Sequence, residues 1–174
     1  MKNNTTRLVV IAFLLALEIV LTRFCSISTP ILRMGFGFLP IAMVGIMYGP
    51  LWAGITYAIG DIIGAILFPI GPYFPGFTLT AFLSGLVFGF VLYGKEITWK
   101  RSLIASVIVV IFLDLILNTY WLSVLYGDGF IALLPTRIIK VVFSIPIETI
   151  LITLVWNRIM SKIPEIASLK HKKS

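Results

Sequence analysis

The sequence predicts an all-α integral membrane protein with six transmembrane helices and both termini on the cytoplasmic side. Three observations carry this. Of 174 residues, 59% are hydrophobic and 12% charged, against about 45–50% and about 25% in soluble domains, so the charges are too few to coat a globule. A span takes roughly 20 apolar residues, so six spans use about 120 and leave only short loops, with no room for a soluble catalytic domain. The third observation is the placement of the cations. With both termini inside, Lys2, Arg7, Lys95, Lys100, Arg101, Arg158, Lys162, Lys170, Lys172 and Lys173 are internal, ten of the fourteen Lys and Arg. The outer loops carry only Arg23 and Arg33, as the positive-inside rule requires.

The first apolar run, 8–22, follows Lys2 and Arg7 like the core of a signal peptide. Glu18 interrupts it and no A-x-A cleavage pattern follows, so it reads as helix 1. A polar loop, 23–33, leads to a long apolar stretch broken at Gly49-Pro50. Proline suits a first helical turn and not a helix interior, which divides the stretch into helix 2 (38–48) and helix 3 (50–68). At about 1.5 Å per residue helix 2 is only some 16 Å long, short of a core about 30 Å thick. Part of segment 33–39 is therefore expected to dip into the membrane, where irregular backbone survives only under cover. The Pro- and Gly-rich loop 69–76 precedes helix 4 (77–93). The polar link 94–101 precedes helix 5 (103–126), and loop 127–134 precedes helix 6 (135–160), with a basic tail after it. The whole chain, 1–174, reads as one transmembrane domain.

The excess of 14 basic over 7 acidic residues fits a membrane surface better than a nucleic acid. A single cysteine, Cys25, excludes an internal disulfide and a Cys-based zinc site, and the lone His171 lies in a Lys-rich tail. Neither a metal nor a cofactor is expected. No P-loop, G-x-S-x-G elbow or H-E-x-x-H occurs.

Ionisable residues within spans face the bundle interior and mark function by default. Asp61 falls just outside the midplane of helix 3, Asp114 near the middle of helix 5, and Asn118 and Trp121 further out. On helix 6, Arg137, Lys140, Ser144 and Glu148 share roughly an 80° arc, with the cations at the outer end. Segment 33–38, with Arg33, Gly35, Phe36 and Phe38, and loop 71–76, with Gly71, Pro72, Tyr73 and Phe74, lie at the same side. Cations, an amide, a carboxylate and aromatics thus converge on one outer cavity. That set suits a flat heteroaromatic ligand with anionic groups: rings stack on aromatics and Arg pairs bidentately with a carboxylate. Each aromatic also reads as an interfacial belt residue, and Asp114 and Glu148 also read as ordinary interhelical hydrogen-bonding groups. Ala12-x-x-x-Ala16 on helix 1 is a small-residue packing pattern, shared in spacing by Gly45/Gly49, Gly60/Gly64 and Gly85/Gly89.

Taken together, Ala12-x-x-x-Ala16, Leu32-Arg-Met-Gly-Phe-Gly-Phe-Leu-Pro40, Gly49-Pro-Leu-Trp52, Asp61-Ile-Ile-Gly64, Phe68-Pro-Ile-Gly-Pro-Tyr-Phe-Pro-Gly-Phe-Thr78 and Asn118-Thr-Tyr-Trp-Leu122 resemble the folate-specific S components of energy-coupling factor (ECF) transporters. The resemblance runs from helix 1 to helix 6. It implies the S-component fold in a bacterial cell membrane and a vitamin uptake module rather than an enzyme. Such modules bind ligand in an outward-facing cavity, join a transmembrane coupling protein (EcfT) and two ATPases (EcfA and EcfA′), and topple to release ligand inside. By this resemblance Ala12 and Ala16 dock on the coupling protein. Phe36, Phe38, Tyr73, Phe74 and Trp121 pack on the pterin and aminobenzoate rings, Gly35, Gly71, Pro72, Phe77 and Thr78 complete the site, and Asn118 with Asp61 reads the pterin edge. Arg33 is the first choice for a glutamate carboxylate, with Lys140 or Arg137 as the alternative. An S component for another small vitamin, or a membrane scaffold without a vitamin site, are the competing readings.

Overall fold

A computed structural model describes residues 4–28, 33–69, 71–127 and 130–158. Helix α1 (Asn4–Arg23) is followed by a two-residue antiparallel ribbon, β1 (Ile27–Ser28) with β2 (Arg33–Met34), pairing Ile27 with Met34 and Ser28 with Arg33. Then come α2 (Phe38–Tyr48), α3 (Pro50–Leu67), α4 (Pro75–Leu92), α5 (Trp99–Tyr126) and α6 (Phe130–Arg158). Five of these helices are long and apolar enough to cross a membrane, and α2 is shorter.

Helix α2 is apolar all round, and a helix of that kind belongs in the interior. It is surrounded by α1, α3, α4 and α6, with Ile41, Ala42 and Val44 fully buried. Gly49 joins α2 to α3 at φ 97°, a left-handed value that a side chain resists, and Pro50 follows in the first turn of α3, where its missing N–H costs nothing. Helices α3 and α4 form the most extensive helix pair. Their backbones nearly touch: a Cβ on Gly85 would lie 2.5 Å from the Ala53 carbonyl oxygen, and one on Gly89 2.2 Å from Pro50 Cα.

The structure lengthens several expected helices. The first helix spans 4–23 rather than 8–22, since its polar opening turn is helical as well. The fourth starts at Pro75, not 77, because Pro and Gly are acceptable in a first turn that lacks hydrogen-bond partners anyway. Helix α5 starts at Trp99, not 103: Lys100 and Arg101 are too polar for an apolar run but fit a helix at the membrane surface. Helix α6 starts at Phe130, not 135, and contains Pro135 and Pro146. Membrane helices tolerate interior prolines where neighbours satisfy the freed carbonyls. Its expected end at 160 lies outside the described residues. The loop expected at 23–33 contains the short ribbon, a small departure from an all-α chain. Within α5, Ile108–Leu117 is wound more widely, so that Asn118 N–H bonds the Leu113 carbonyl five residues back, a form often found at functional sites.

Candidate ligand-binding site

At the end of the bundle where α1, α3 and α5 finish and α2, α4 and α6 begin lies a cavity of about 730 Å³, within the usual range for small-molecule sites. Its walls are unlike one another. One is aromatic: Phe36 and Phe38 from the segment before α2, and Tyr73, Phe74 and Phe77 from the loop before α4 and its first turn. Phe74 meets Phe77 edge-on with centroids 6.0 Å apart. Gly35, Gly71 and Pro72 also line it.

The opposite wall, on α5 and α6, is polar. Asp114, Asn118, Arg137, Lys140, Ser144 and Glu148 all line the cavity. Lys140 and Asp114 form an ion pair. Arg137 Nη1 donates to the Asp114 backbone carbonyl at 3.0 Å, and Asn118 Nδ2 donates to Asp114 Oδ1 at 2.8 Å. A carboxylate accepts only, so it turns the Asn118 amide nitrogen toward itself and leaves Oδ1 as the acceptor still to be matched. That atom and Glu148 Oε2 are buried with no hydrogen-bond partner among the described residues. Two acceptors thus share one cavity with a paired cation, and buried acceptors of this kind call for N–H donors.

Asp61 also lines the cavity, and its Oδ2 accepts from Thr78 Oγ1 at 2.7 Å. The Thr78 proton is committed there, so Tyr73 must be the donor in its 3.0 Å contact with Thr78. The chain Tyr73 to Thr78 to Asp61 ties the loop before α4 onto α3. Thr78 does not itself border the cavity. Neither does Trp121, which braces it: its indole N–H donates to Thr80 Oγ1 at 3.1 Å and its ring lies 5.6 Å from that of Phe74. The indole covers the first turn of α4, where a Cβ on Gly76 would come within 2.5 Å of it. Arg33 is described only as backbone in β2, and its side chain lies outside the described residues. Ala12 and Ala16 are exposed on α1 and take no part in the cavity lining.

Several lining residues escaped the sequence reading, among them Glu18, Thr22 and Arg23 of α1, Tyr57 of α3, and Thr80 and Ser84 of α4. The hydroxyls gave no signal, because threonine and serine commonly bond their own helix, as Thr80 does to Gly76 O and Ser84 to Thr80 O. Glu18 did give one: an ionisable group inside a span is a functional candidate by default.

A family model described as "ECF transporter, substrate-specific component" matches residues 6–167. The folate transporter FolT of Clostridium novyi (strain NT) is 45% identical over 152 residues, 87% of this chain and 88% of the relative. FolT of Leuconostoc mesenteroides subsp. mesenteroides is 33% identical over 153 residues, 84% of this chain and 82% of the relative. Among solved structures, a crystal structure of FolT bound with folic acid superposes with a TM-score of 0.85 at 38% identity, covering 89% of this chain and 95% of the other. The chain therefore belongs to the substrate-specific components of ECF transporters, substrate-binding membrane subunits rather than enzymes, and its relatives in that family are FolT folate transporters.

Proposed function

We propose that this chain captures folate in the cavity between α1 and α6 and hands it to an ECF coupling module. The observation that supports this most is chemical: one cavity joins an aromatic wall to a polar wall with buried acceptors and cations. In a chain 38% identical to a folic-acid-bound FolT, that is the lining a pterin with an anionic tail requires. In this reading the chain acts as one transmembrane unit with both termini cytoplasmic and the cavity facing outward. Phe36, Phe38, Tyr73, Phe74 and Phe77 pack on the rings, with Gly35, Gly71 and Pro72 giving the backbone close approach. Trp121 holds Phe74 in place.

Asn118 Oδ1 accepts from the pterin N–H edge. Asp61 is a second acceptor for that edge while Thr78 ties the loop down. Arg33 takes the glutamate carboxylate, with Lys140, paired to Asp114, or Arg137, which donates to the Asp114 carbonyl, as the alternative. Ala12 and Ala16, exposed on α1, form the docking surface for the coupling protein, and the two ATPases supply the energy.

The test is a titration of detergent-purified protein with folic acid, beside uptake of labelled folate in cells supplying the coupling module. Wild type is expected to bind one folate with submicromolar affinity, more than about 8 kcal/mol. An Ala12→Trp/Ala16→Trp variant should bind equally well and fail to transport. Wild type that ignores folate would refute the folate reading, and normal uptake by the double variant would refute the docking surface.

A further inference from the structure

Helix α1 has two unlike faces. Phe13, Leu17 and Val20 are exposed, whereas Glu18 is 1% exposed. A carboxylate buried in a membrane helix is expensive, so what packs against it is informative. Two neighbouring backbones come close to it through a glycine. A Cβ on Gly60 of α3 would lie 2.2 Å from Glu18 Oε2. A Cβ on Gly37, in the turn that starts α2, would lie 1.8 Å from Thr22 Oγ1 and 3.1 Å from Glu18 Oε1. Thr22, one turn further along α1, donates to Glu18 Oε1 at 2.9 Å. The Glu18–Thr22 pair is therefore a polar seat shaped to two glycine backbones, one on α3 and one in the turn that carries Phe36 and Phe38 into the cavity wall.

We propose that Glu18, with Thr22, is a positioning residue for ligand retention: it seats the Gly37 turn and so fixes where Phe36 and Phe38 close the cavity. Shape and charge both matter here. Any side chain at position 37 would be driven into the Thr22 hydroxyl and push the turn outward. Gln at position 18 keeps the volume but puts an amide nitrogen, a donor, in place of one acceptor oxygen. Because Glu18 also borders the cavity, a direct ligand contact has to be separated from seating. Position 37 does this, since a methyl there is aimed at Thr22 rather than at the ligand.

The inference rests on the folate reading and is tested by the rate at which bound radiolabelled folate leaves purified protein during a chase with excess unlabelled folate. Gly37→Ala is expected to speed dissociation about tenfold or more. Thr22→Ala/Gly37→Ala removes the colliding hydroxyl, and should return the rate to within about threefold of Thr22→Ala alone. Glu18→Gln should also speed dissociation by about threefold to tenfold, with the Tm of folate-free protein moved by no more than about 4 °C, the equivalent of about 1 kcal/mol. Faster dissociation in Gly37→Ala without rescue by the second substitution overturns the seat. If Gly37→Ala does not fold, Gly60→Ala, which presses on Glu18 Oε2 from outside the cavity lining, takes its place, and a wild-type rate in both Gly60→Ala and Glu18→Gln overturns the proposal. Wild type that binds no folate refutes the folate reading instead, so the two failures are distinguishable.

Discussion

The two ends of the bundle are built on different principles. Where α2, α3 and α4 pack at the end away from the cavity, backbone meets backbone: Gly85 against Ala53 and Gly54, Gly89 against Pro50, and Gly45 against Gly89. At these three contacts the nearest obstacle is backbone, which cannot rotate away to absorb an added atom. On the polar wall at the cavity end, side chains hold one another by charge and hydrogen bonds, with Asp114 binding Lys140 and Asn118 at once. Shape alone specifies the first end, whereas the polar wall at the second is held by electrostatics. An S component needs both, a rigid body for its fold and an adaptable, polar chamber for its cargo. The contrast predicts which substitutions each end resists.

The largest effect is expected from unbalancing the polar wall. Asp114→Leu leaves the mostly buried Lys140 ammonium without its partner, and breaking a buried pair from one side typically costs about 3–5 kcal/mol. Adding Lys140→Met should recover most of the folded stability, since removing both charges is often neutral. Thermal unfolding of the two variants checks this, and a double variant no better than Asp114→Leu would break the electrostatic half of the comparison. A smaller effect is expected at the other end. Gly89→Ala forces a methyl against Pro50, and overpacking of this kind costs about 1–3 kcal/mol, lowering Tm by roughly 2–12 °C in a chain of this size. No second side-chain substitution should rescue it, because the obstacle is backbone. Rescue by trimming any neighbouring side chain would show that this end is not specified by backbone contact.

Much of this architecture was legible in the sequence, and its limits have physical reasons. The division of the long apolar stretch into α2 and α3 followed from Gly49-Pro50, where turn geometry and a missing N–H leave little choice. Helix starts were legible only where hydropathy and helicity coincide. At Trp99 and Phe130 they do not, since Lys100 and Arg101 are compatible with a helix at the surface and a membrane helix accommodates an interior proline such as Pro135. Of the site, Phe36, Phe74, Asn118 and Lys140 could be placed at one end from topology alone. Glu18 and Thr22 could not be assigned to it, because the rotation of α1 about its own axis is set by packing against Gly37 and Gly60. Nor could spacing reveal that Thr78 bonds Asp61 or that Trp121 covers Gly76, contacts made across different helices.

In the folate reading the polar wall of the cavity reads the ligand through the unmatched amide oxygen of Asn118. Calorimetric titration of folic acid into wild type and Asn118→Ala tests it most directly. Stranding a ligand donor without its acceptor costs about 1–3 kcal/mol, so affinity should fall roughly fivefold to 150-fold while the folded protein remains intact. Unchanged affinity in Asn118→Ala, beside tight binding by wild type, would mean that folate is read somewhere other than this wall.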